Sequence, residues 1–299
     1  MAPSSNRRAG HAGRLSAAPS RWAAIDAARR QAVPRTAFVI GGTVVGSVAV
    51  VHLGALRRWP RWLSVSDAAV ELRVEASARS DVLTQVNARL RDDGLIVAWR
   101  DEIYPVVTRL GEPPLALIER AAARFWGTLT FGAHCNGYVA DANGRPTHLW
   151  IARRSPHKPT DPGKLDNVVG GGVPHGQTPA EALVREGFEE AGLDAATMRL
   201  ARRGSVIALR CDIAEGFMNE DLHTFDLALS PGLTPVNQDG EVSELHCLPI
   251  CEAVERAATG EMTVDAALVT LDFALRQRLL PLASHERLAA QMAALLGRA

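Results

Sequence analysis

One stretch of the chain restricts its fold more than any other. Residues 170–193 read GGGVPHGQTPAEALVREGFEEAGL, in which three glycines and a short polar segment precede a helical pattern. Thr178 and Glu181 have the spacing of a capping box, and Pro179 occupies the first helical position, where its missing N–H costs nothing. Gly192 is typical of the residue that ends a helix. We therefore predict a glycine-rich loop followed by a helix that ends at Gly192.

The predicted helix carries three carboxylates close together. Glu186, Glu189 and Glu190 stand at positions i, i+3 and i+4 and therefore share one face. The apolar residues predicted to pack under a sheet on the opposite side are Leu183, Val184, Phe188 and Ala191. Repulsion between the glutamates costs roughly a few tenths of a kcal/mol, which a hard divalent cation such as Mg2+ or Mn2+ would offset. The residues alone leave two interpretations open, a solvated acidic helix and a metal site.

The spacing of the whole stretch favours the second interpretation. Gly171 is followed by five residues, Gln177, seven residues and the run Arg185-Glu186-Gly187-Phe188-Glu189-Glu190-Ala191-Gly192-Leu193. This pattern closely resembles the Nudix box, in which glycine, five residues, glutamate, seven residues and Arg-Glu precede an aliphatic residue and Glu-Glu-x-Gly-aliphatic. Gln177 and Gly187 depart from the box, which has a glutamate and an aliphatic residue at those positions.

Segments outside the box extend the resemblance. WIARRSPHKPTDPGKLDNVVGGGVPHG, VNQDGEVSEL and AALVTLDFAL look like the Nudix branch related to the N-terminal part of fungal thiamine pyrophosphokinases. Members of that branch carry an additional N-terminal domain, and GLIVAWRDEIYPV (residues 94–106) resembles the end of it. The likeness covers most of residues 36–280. It implies a mixed α/β fold, namely a Nudix α/β/α sandwich with a mixed sheet, preceded by a smaller α+β N-terminal domain.

We accordingly divide the chain into four parts. These are a flexible tail with a short helix (1–35), the N-terminal α+β domain (36–125), the Nudix hydrolase domain (126–280) and a C-terminal helix (281–299). In the N-terminal domain, hydrophobic periodicity predicts a helix at 77–94, a strand at 95–107 and a helix at 114–126. In the remainder we predict strands at 127–141, 147–154, 203–213, 222–229 and 241–248, and helices at 250–258, 263–278 and 284–297.

The resemblance also implies an activity and a site. Glu186, Glu189 and Glu190 would bind Mg2+ or Mn2+, with Arg185 orienting Glu186 and the backbone of Gly171 beside the ion. The ion would neutralise a diphosphate and lower the pKa of the attacking water. The expected enzyme is a Nudix pyrophosphohydrolase that cleaves a small organic diphosphate of the thiamine diphosphate type, releasing a monophosphate and phosphate.

Residues outside the box supply candidates for substrate binding. The chain contains only two lysines, Lys158 and Lys164, and both shortly precede the glycines. With Arg153 and Arg154 they are candidates to hold the outer phosphate, although a solvated basic rim explains them equally well. Glu241 is a candidate for an extra metal ligand or base from outside the box.

An aromatic pair near the end of the N-terminal domain is the candidate for reading the organic part of the substrate. Trp99 and Tyr104 offer flat faces that can stack on a heteroaromatic ring, and a cationic thiazolium would gain a cation–π contact. The alternative is that both are core residues of the strand predicted at 95–107. The sequence leaves both interpretations open.

Two other functions compete with hydrolysis. An enzyme resembling the isopentenyl diphosphate isomerases would share the PGKLDN approach to the box. That reaction needs a protonating group and a Cys or Glu on opposite faces of an alkene, and the sequence shows no such pair. A non-catalytic ligand sensor would use the Nudix fold only to bind, but the intact Arg-Glu and Glu-Glu pairs argue against it.

Composition and charge narrow the partners and the compartment. Lys+Arg and Asp+Glu balance at 33 each, which disfavours a nucleic-acid partner and leaves a small-molecule diphosphate. Residues 37–56 are uncharged and long enough to span a membrane, yet glycine pairs between β-branched runs favour two strands joined by a turn, with no membrane involved. Four cysteines make no disulfide framework in a chain this long, so we expect a reducing cytoplasm. The oligomeric state is left open.

Overall fold

The computed structural model describes residues 21–297, which form two packed units. The tail predicted at the N-terminus lies outside the described residues up to position 20, and so do residues 298–299. The first half of the chain contains α1 (Ala23–Ala27), β1 (Arg35–Ile40), β2 (Thr43–Ala49), α2 (Leu53–Leu56), β3 (Leu63–Val65), β4 (Ala69–Leu72), α3 (Arg79–Asp92), β5 (Ile103–Val106), β6 (Ala116–Glu119) and α4 (Arg120–Trp126). Two short 3-10 turns precede α2 and α3.

The second half of the chain forms the larger unit. Its strands are β7 (Thr130–Ala140), β8 (Pro146–Arg154), β9 (Leu165–Asn167), β10 (Val169–Gly172), β11 (Arg202–Ile213), β12 (Gly216–Ala228) and β13 (Val242–Pro249). Its helices are α5 (Pro179–Ala191), α6 (Ala195–Met198), α7 (Ile250–Thr259), α8 (Val264–Arg276) and α9 (Leu282–Ala293). These elements confirm the strands and helices predicted after residue 126, to within a few residues at most ends.

The uncharged run at 37–56 forms a hairpin and not a membrane span. β1 and β2 pair antiparallel, and Gly41 and Gly42 form the turn with φ of 57° and 79°, a left-handed conformation that glycine adopts without strain. The strands belong to a four-stranded sheet in the order β2-β1-β4-β3, which packs against α3. No helix within residues 21–297 combines the length and apolar character needed to cross a membrane. The prediction of two strands joined by a turn is therefore confirmed.

The segment from 95 to 126 differs from its prediction. Only Ile103–Val106 of the strand predicted at 95–107 is extended in a sheet, where it pairs with β6. The helix predicted at 114–126 is wrong in its first half, because Ala116–Glu119 is β6 and the helix begins at Arg120. Tertiary packing explains the difference, because Ala116 and Ile118 are buried in the hydrophobic core of the first unit. The Glu119 carboxylate then caps α4 by accepting a hydrogen bond from Ala121 N.

The second unit is an α/β/α sandwich, as predicted. Its strand order is β11-β12-β7-β8-β13, with β10 added on β7 and β9 on β8. Along β12, Leu222 joins the core beneath α7, α8 and α9, whereas Phe225 and Leu227 join the core beneath α5 and α6. Because odd and even residues of a strand face opposite sides, helices cover both faces of the sheet.

The two units are joined along one helix and by the ends of the described chain. α4 packs against β2 of the first sheet and β12 of the second. The short helix α1 lies on the second unit, where Trp22 is 1% exposed and its indole nitrogen donates to the Ala267 carbonyl at 3.3 Å. Leu288 and Met292 of α9 are buried in the same core. Helix α4 thus contacts both units, and the start of the described chain packs on the second one.

Candidate active site

A cavity of about 660 Å³ lies between the two units. Its lining comes from β10, α5, the loop at 97–102, α4 and the start of α8. A volume of this size suits a small organic molecule, for which pockets measure roughly 300–1,000 Å³. The helix predicted from the sequence thus forms a wall of this cavity.

Helix α5 begins and ends as its sequence predicts. Thr178 Oγ1 accepts from Glu181 N at 3.3 Å, and the Glu181 carboxylate accepts from Thr178 N at 2.8 Å, which completes the capping box. Gly192 follows the last turn in a left-handed conformation with φ of 62°. Local sequence signals therefore suffice to set both ends of helix α5.

The glycines form a strand rather than the predicted loop. Gly170, Gly171 and Gly172 lie in β10 and pair antiparallel with β7. A side chain at any of them would collide with a neighbour: the Cβ positions are already approached by His134 at Gly170, by Glu186 at Gly171 and by Tyr104 at Gly172. The three glycines are thus explained by close approach from three directions.

Two of the three clustered carboxylates, Glu186 and Glu190, are buried, although the face that they share was expected to point away from the core. Glu186 is 9% exposed and Glu190 is 5% exposed, because the bare glycine strand lets α5 come close enough to enclose them. Glu189 is half-buried. Phe188, predicted to pack under the sheet, is instead 59% exposed, whereas Leu183 and Ala191 are buried as predicted.

Charged partners hold these carboxylates. Arg185 donates to Glu186 at 2.8 Å and to Glu189 at 2.8 Å, which agrees with its expected orienting role. Glu190 accepts from Gly170 N at 2.8 Å, and its other oxygen lies 3.6 Å from the Lys158 ammonium. Burial raises the pKa of Glu190 to about 8 against the opposing effect of Lys158, and burial also raises the pKa of Glu186.

The donor set fits a hard divalent cation. Carboxylate oxygens are the ligands that Mg2+ and Mn2+ prefer, and burial raises the pKa of both carboxylates despite the nearby Arg185 and Lys158, so a cation would stabilise their charged forms. Within residues 21–297, no three acidic, histidine or cysteine side chains already converge on one metal-sized point. Instead, Arg185 and Lys158 form ion pairs with Glu186 and Glu190, and a bound cation would take over this neutralisation of charge.

Three of the four basic residues predicted to hold phosphate line the cavity. Lys158 also forms an ion pair with Glu241, which places that candidate at the cavity wall beside α5. Arg154 and Lys164 line the cavity and pair with Asp166 and Asp161. The fourth residue, Arg153, lies on the other face of β8 and does not line the cavity.

Arg153 and Arg154 are consecutive residues of β8, so their side chains point to opposite faces of the sheet. The Arg153 guanidinium donates to Glu244 at 3.0 Å and to the Gly163 carbonyl at 2.9 Å, and it does not line the cavity. The alternation of side chains along the strand thus separates two arginines that the sequence grouped together. Only one of them can meet a ligand in the cavity.

The aromatic candidates Trp99 and Tyr104 do not line the cavity either. The Trp99 indole donates to Asp101 at 2.9 Å and packs with the first core. Tyr104 is 2% exposed, with its ring beneath Arg120 and its hydroxyl beside Gly172. The core interpretation holds for Tyr104. The segment nevertheless reaches the cavity, since Arg100 and Glu102 line it.

The two departures from the box have different surroundings. Gln177 lies outside the cavity lining, and its amide oxygen is buried without a hydrogen-bond partner. A Cβ at Gly187 would meet Met198 Sδ at 2.6 Å, so glycine there admits α6 against α5. Gly187 thus has a packing role that its low helix propensity did not indicate.

Several cavity residues have no signal in the sequence. Glu220 of β12 lines the cavity and accepts from Arg124 at 2.8 Å and from Thr130 Oγ1 at 2.9 Å. Asp265, in the first turn of α8, also lines it. Across the described residues its carboxylate has no hydrogen bond or ion pair, and burial together with the nearby Glu220 raises its pKa. These residues are distant in sequence, so no local pattern could group them.

Family comparisons divide the chain at nearly the same place as the structure. Residues 133–268 match the NUDIX domain family, and residues 22–130 match a family described as a domain of unknown function (DUF4743). The chain therefore carries a NUDIX domain preceded by a DUF4743 domain. Residue 22 already belongs to the matched N-terminal region, although Trp22 packs on the NUDIX unit.

Two curated plant proteins are similar over both domains. Nudix hydrolase 24, chloroplastic, of Arabidopsis thaliana is 36% identical over 203 residues, which cover 68% of this chain and 55% of that protein. Nudix hydrolase 20, chloroplastic, of the same plant is 37% identical over 200 residues, which cover 66% of this chain and 53% of that protein. The chain thus spans about half the length of these relatives.

Among solved structures, this chain is similar to the crystal structure of DR0079 from Deinococcus radiodurans. The alignment covers 56% of this chain and 97% of that protein, with 26% identity and a TM-score of 0.41.

Proposed function

We propose that this chain, in which a NUDIX domain follows a DUF4743 domain, is a metal-dependent hydrolase of a diphosphate linkage in a small organic molecule. One observation carries the proposal. The buried Glu186 and the half-buried Glu189 line a cavity rich in cations, and the buried Glu190 accepts a hydrogen bond from Gly170, whose backbone lines the same cavity. Such a lining supplies oxygen ligands for a cation, and the cations beside it suit the phosphates of the substrate.

The charged residues of α5 would have different roles in the reaction. Glu186, Glu189 and Glu190 would hold Mg2+ or Mn2+, and Arg185 orients the first two through its hydrogen bonds. When bound, the ion neutralises the diphosphate and lowers the pKa of the attacking water. A carboxylate of the set accepts the proton of that water as its oxygen attacks phosphorus. The bond between the phosphates breaks, and a monophosphate and inorganic phosphate leave.

The organic part of the substrate would contact the apolar lining of the cavity and Asp265. Met218 and Val264 supply apolar surface to the cavity, and Asp265 supplies a carboxylate without an ion-pair partner among the described residues. A cationic or amino-substituted heteroaromatic ring fits this combination, since it fills apolar space and compensates the charge of Asp265. We therefore propose a thiamine-diphosphate-like compound as the substrate class.

The competing functions find less support. All four cysteines lie outside the cavity lining, which leaves an isomerase of the cysteine-using kind without its thiol. A pure sensor would have no need of buried carboxylates beside a diphosphate-sized cationic wall. The cysteines are all free thiols, which supports the proposal of a reducing compartment such as the cytoplasm.

A substrate panel tests the proposal. The full chain is incubated with Mg2+ or Mn2+ and thiamine diphosphate, ring-modified thiamine diphosphates, isopentenyl diphosphate, ADP-ribose and nucleoside diphosphates. Release of phosphate and a monophosphate from the thiamine-type compounds supports the proposal. Migration of a double bond without phosphate release would establish the isomerase instead, and tight binding without any turnover would establish the sensor.

A further inference from the structure

One of the positively charged side chains that line the cavity lacks the ion pair that all the others form. Seven lysine and arginine side chains line it. Six of them form ion pairs within the protein: Arg120 with Glu102, Arg124 with Glu220, Arg154 with Asp166, Lys158 with Glu190 and Glu241, Lys164 with Asp161, and Arg185 with Glu186 and Glu189. The seventh, Arg100, has no hydrogen bond or ion pair from its guanidinium to any residue between 21 and 297.

The backbone that carries Arg100 is strained and held in place. Ala98 and Asp101 have φ of 59° and 58°, a left-handed conformation that non-glycine residues adopt at a cost on the order of 1 kcal/mol or more each. Arg100 N donates at 2.9 Å to Glu119, a buried carboxylate that also caps α4. Trp99 hydrogen-bonds Asp101 across the same turn. Such strain persists only where surrounding contacts enforce it, so the loop is built to present Arg100.

The charges around Arg100 favour an anion. Burial lowers the pKa of Arg100, and the nearby Arg120 and Arg154 lower it further, while Glu241 and Glu102 oppose them only in part. Glu241 also binds Lys158, which in turn lies 3.6 Å from Glu190. Glu241 thus influences Arg100 and is paired with Lys158, the neighbour of Glu190. This shared neighbour places Arg100 near the residues of the proposed chemistry.

We propose that Arg100, contributed by the DUF4743 domain, binds the outer phosphate of the diphosphate substrate of the NUDIX domain. A planar guanidinium can donate two parallel hydrogen bonds to a phosphate, and a half-buried one without an internal partner does so without first breaking an ion pair. The N-terminal domain then completes the phosphate site. This inference rests on the proposed function for the identity of the ligand, but anion binding can be measured without turnover.

Binding of inorganic pyrophosphate to the full chain tests the inference. Affinities are measured calorimetrically with and without Mg2+ for the wild type, Arg100→Ala, Arg100→Lys and Arg57→Ala. Arg57 is an exposed arginine of the same domain outside the cavity and serves as the matched control. We expect roughly tenfold or greater weakening in Arg100→Ala, partial recovery in Arg100→Lys and no change in Arg57→Ala, since one charge-assisted interaction is lost. Thermal melts establish that each variant is folded.

Kinetics separate this inference from the proposed function. With a diphosphate that the wild type hydrolyses, Arg100→Ala should raise KM and leave the metal dependence unchanged. If the chain hydrolyses no diphosphate but pyrophosphate binding still depends on Arg100, the anion site stands and the proposed function fails. If hydrolysis occurs while Arg100→Ala keeps the wild-type KM and pyrophosphate affinity, the inference is overturned and the function stands. A higher KM with unchanged pyrophosphate affinity would assign Arg100 to the organic part and also overturn it.

Discussion

Helix α5 and the loop at 97–102 line the same cavity, but they position their charged side chains by different means. The helix is regular from its capping box at Thr178 to its glycine end at Gly192. The loop contains two left-handed non-glycine residues, Ala98 and Asp101, and depends on side chains from elsewhere, such as Glu119. The helix is therefore stabilised by its own backbone, whereas the loop is stabilised by tertiary contacts.

This difference predicts how each wall responds to substitution. A carboxylate on α5 can be neutralised without disturbing the helix, so chemistry and stability should separate there. In the loop, residues that do not face the cavity hold the backbone that carries Arg100, so substituting one of these supporting residues should change affinity and stability together. The predictions below test this contrast, beginning with the largest expected effect.

Neutralising Glu190 should abolish most turnover and leave the fold intact. Glu190→Gln removes a proposed ligand, and we expect kcat at saturating Mg2+ to fall roughly 100-fold or more. Tm should be unchanged or higher, because burial already disfavours the charged carboxylate and Lys158 keeps its pairing with Glu241. Phosphate release and a thermal melt measure the two effects. Glu189→Gln, at a half-buried position of the same helix, is the matched variant and should also lose most turnover.

Near-wild-type rates in both glutamine variants at saturating metal would remove α5 from the chemistry. Loss of the folded state in Glu190→Gln alone would show that the buried carboxylate serves structure, and the contrast between the two walls would then disappear.

A methyl group on the glycine strand should disturb the helix wall from behind. Gly171→Ala would place Cβ where the Glu186 carboxylate now lies, so that either the strand or the glutamate must move. We expect roughly tenfold lower kcat and a loss of about 1–3 kcal/mol of stability, as for overpacked cores. Gly232→Ala is the control, since nothing lies within 4 Å of a Cβ there. Equal behaviour of the two variants would mean that the close approach of strand and helix has no role.

The helix wall is also the part of the site that could be predicted from sequence. Its capping box, proline and terminal glycine are local signals, and the structure places each as expected. Local signals did not reveal that Glu186 and Glu190 are buried or that Phe188 is exposed, because those facts depend on how closely β10 approaches. The glycines were taken for a loop for the same reason.

The remainder of the cavity could not be predicted because its residues meet only in three dimensions. Arg100, Glu220 and Asp265 come from a loop, a strand and a helix far apart in the chain. The pattern at 114–126 suited a helix, yet Ala116 and Ile118 pack better as a strand beside β5. Periodicity reports amphipathic elements, whereas it carries no information on which elements become neighbours.

Asp265 should contribute to the selectivity of the cavity for the organic part of the substrate. Asp265→Asn removes a carboxylate that has no ion pair among the described residues, and we expect KM for a cationic or amino-substituted diphosphate to rise roughly tenfold. KM for a simple alkyl diphosphate should be unchanged. Steady-state kinetics with both substrates measure the difference. Equal effects on the two would place the organic part elsewhere.

The same substitution has a defined pH signature in stability. Burial, with Glu220 and Asp166, raises the pKa of Asp265 in the folded chain, against His134 and Arg124. The folded state therefore holds this proton more tightly than the unfolded state, and ionisation of Asp265 lowers stability as pH rises through the folded pKa. Asp265→Asn should raise Tm at neutral pH, with a gain that shrinks as pH falls towards the usual aspartate pKa. A gain independent of pH would contradict this origin.

The smallest expected effect concerns the support of the loop. Trp99 does not line the cavity, but its indole holds Asp101 and its ring packs beneath Arg91. Trp99→Ala should lower stability by about 1–2 kcal/mol and raise KM by a few-fold at most, because Arg100 loses part of its support. The KM of a thiamine-type diphosphate and the inhibition constant of inorganic pyrophosphate should rise by the same factor, since both compounds contain the phosphate that Arg100 binds. Trp99→Phe keeps the ring and loses the donor, and so separates the packing from the hydrogen bond. A selective loss for the thiamine-type compound would instead place the indole against the organic ring, and the loop would then contribute an aromatic face to the cavity as well as a charge.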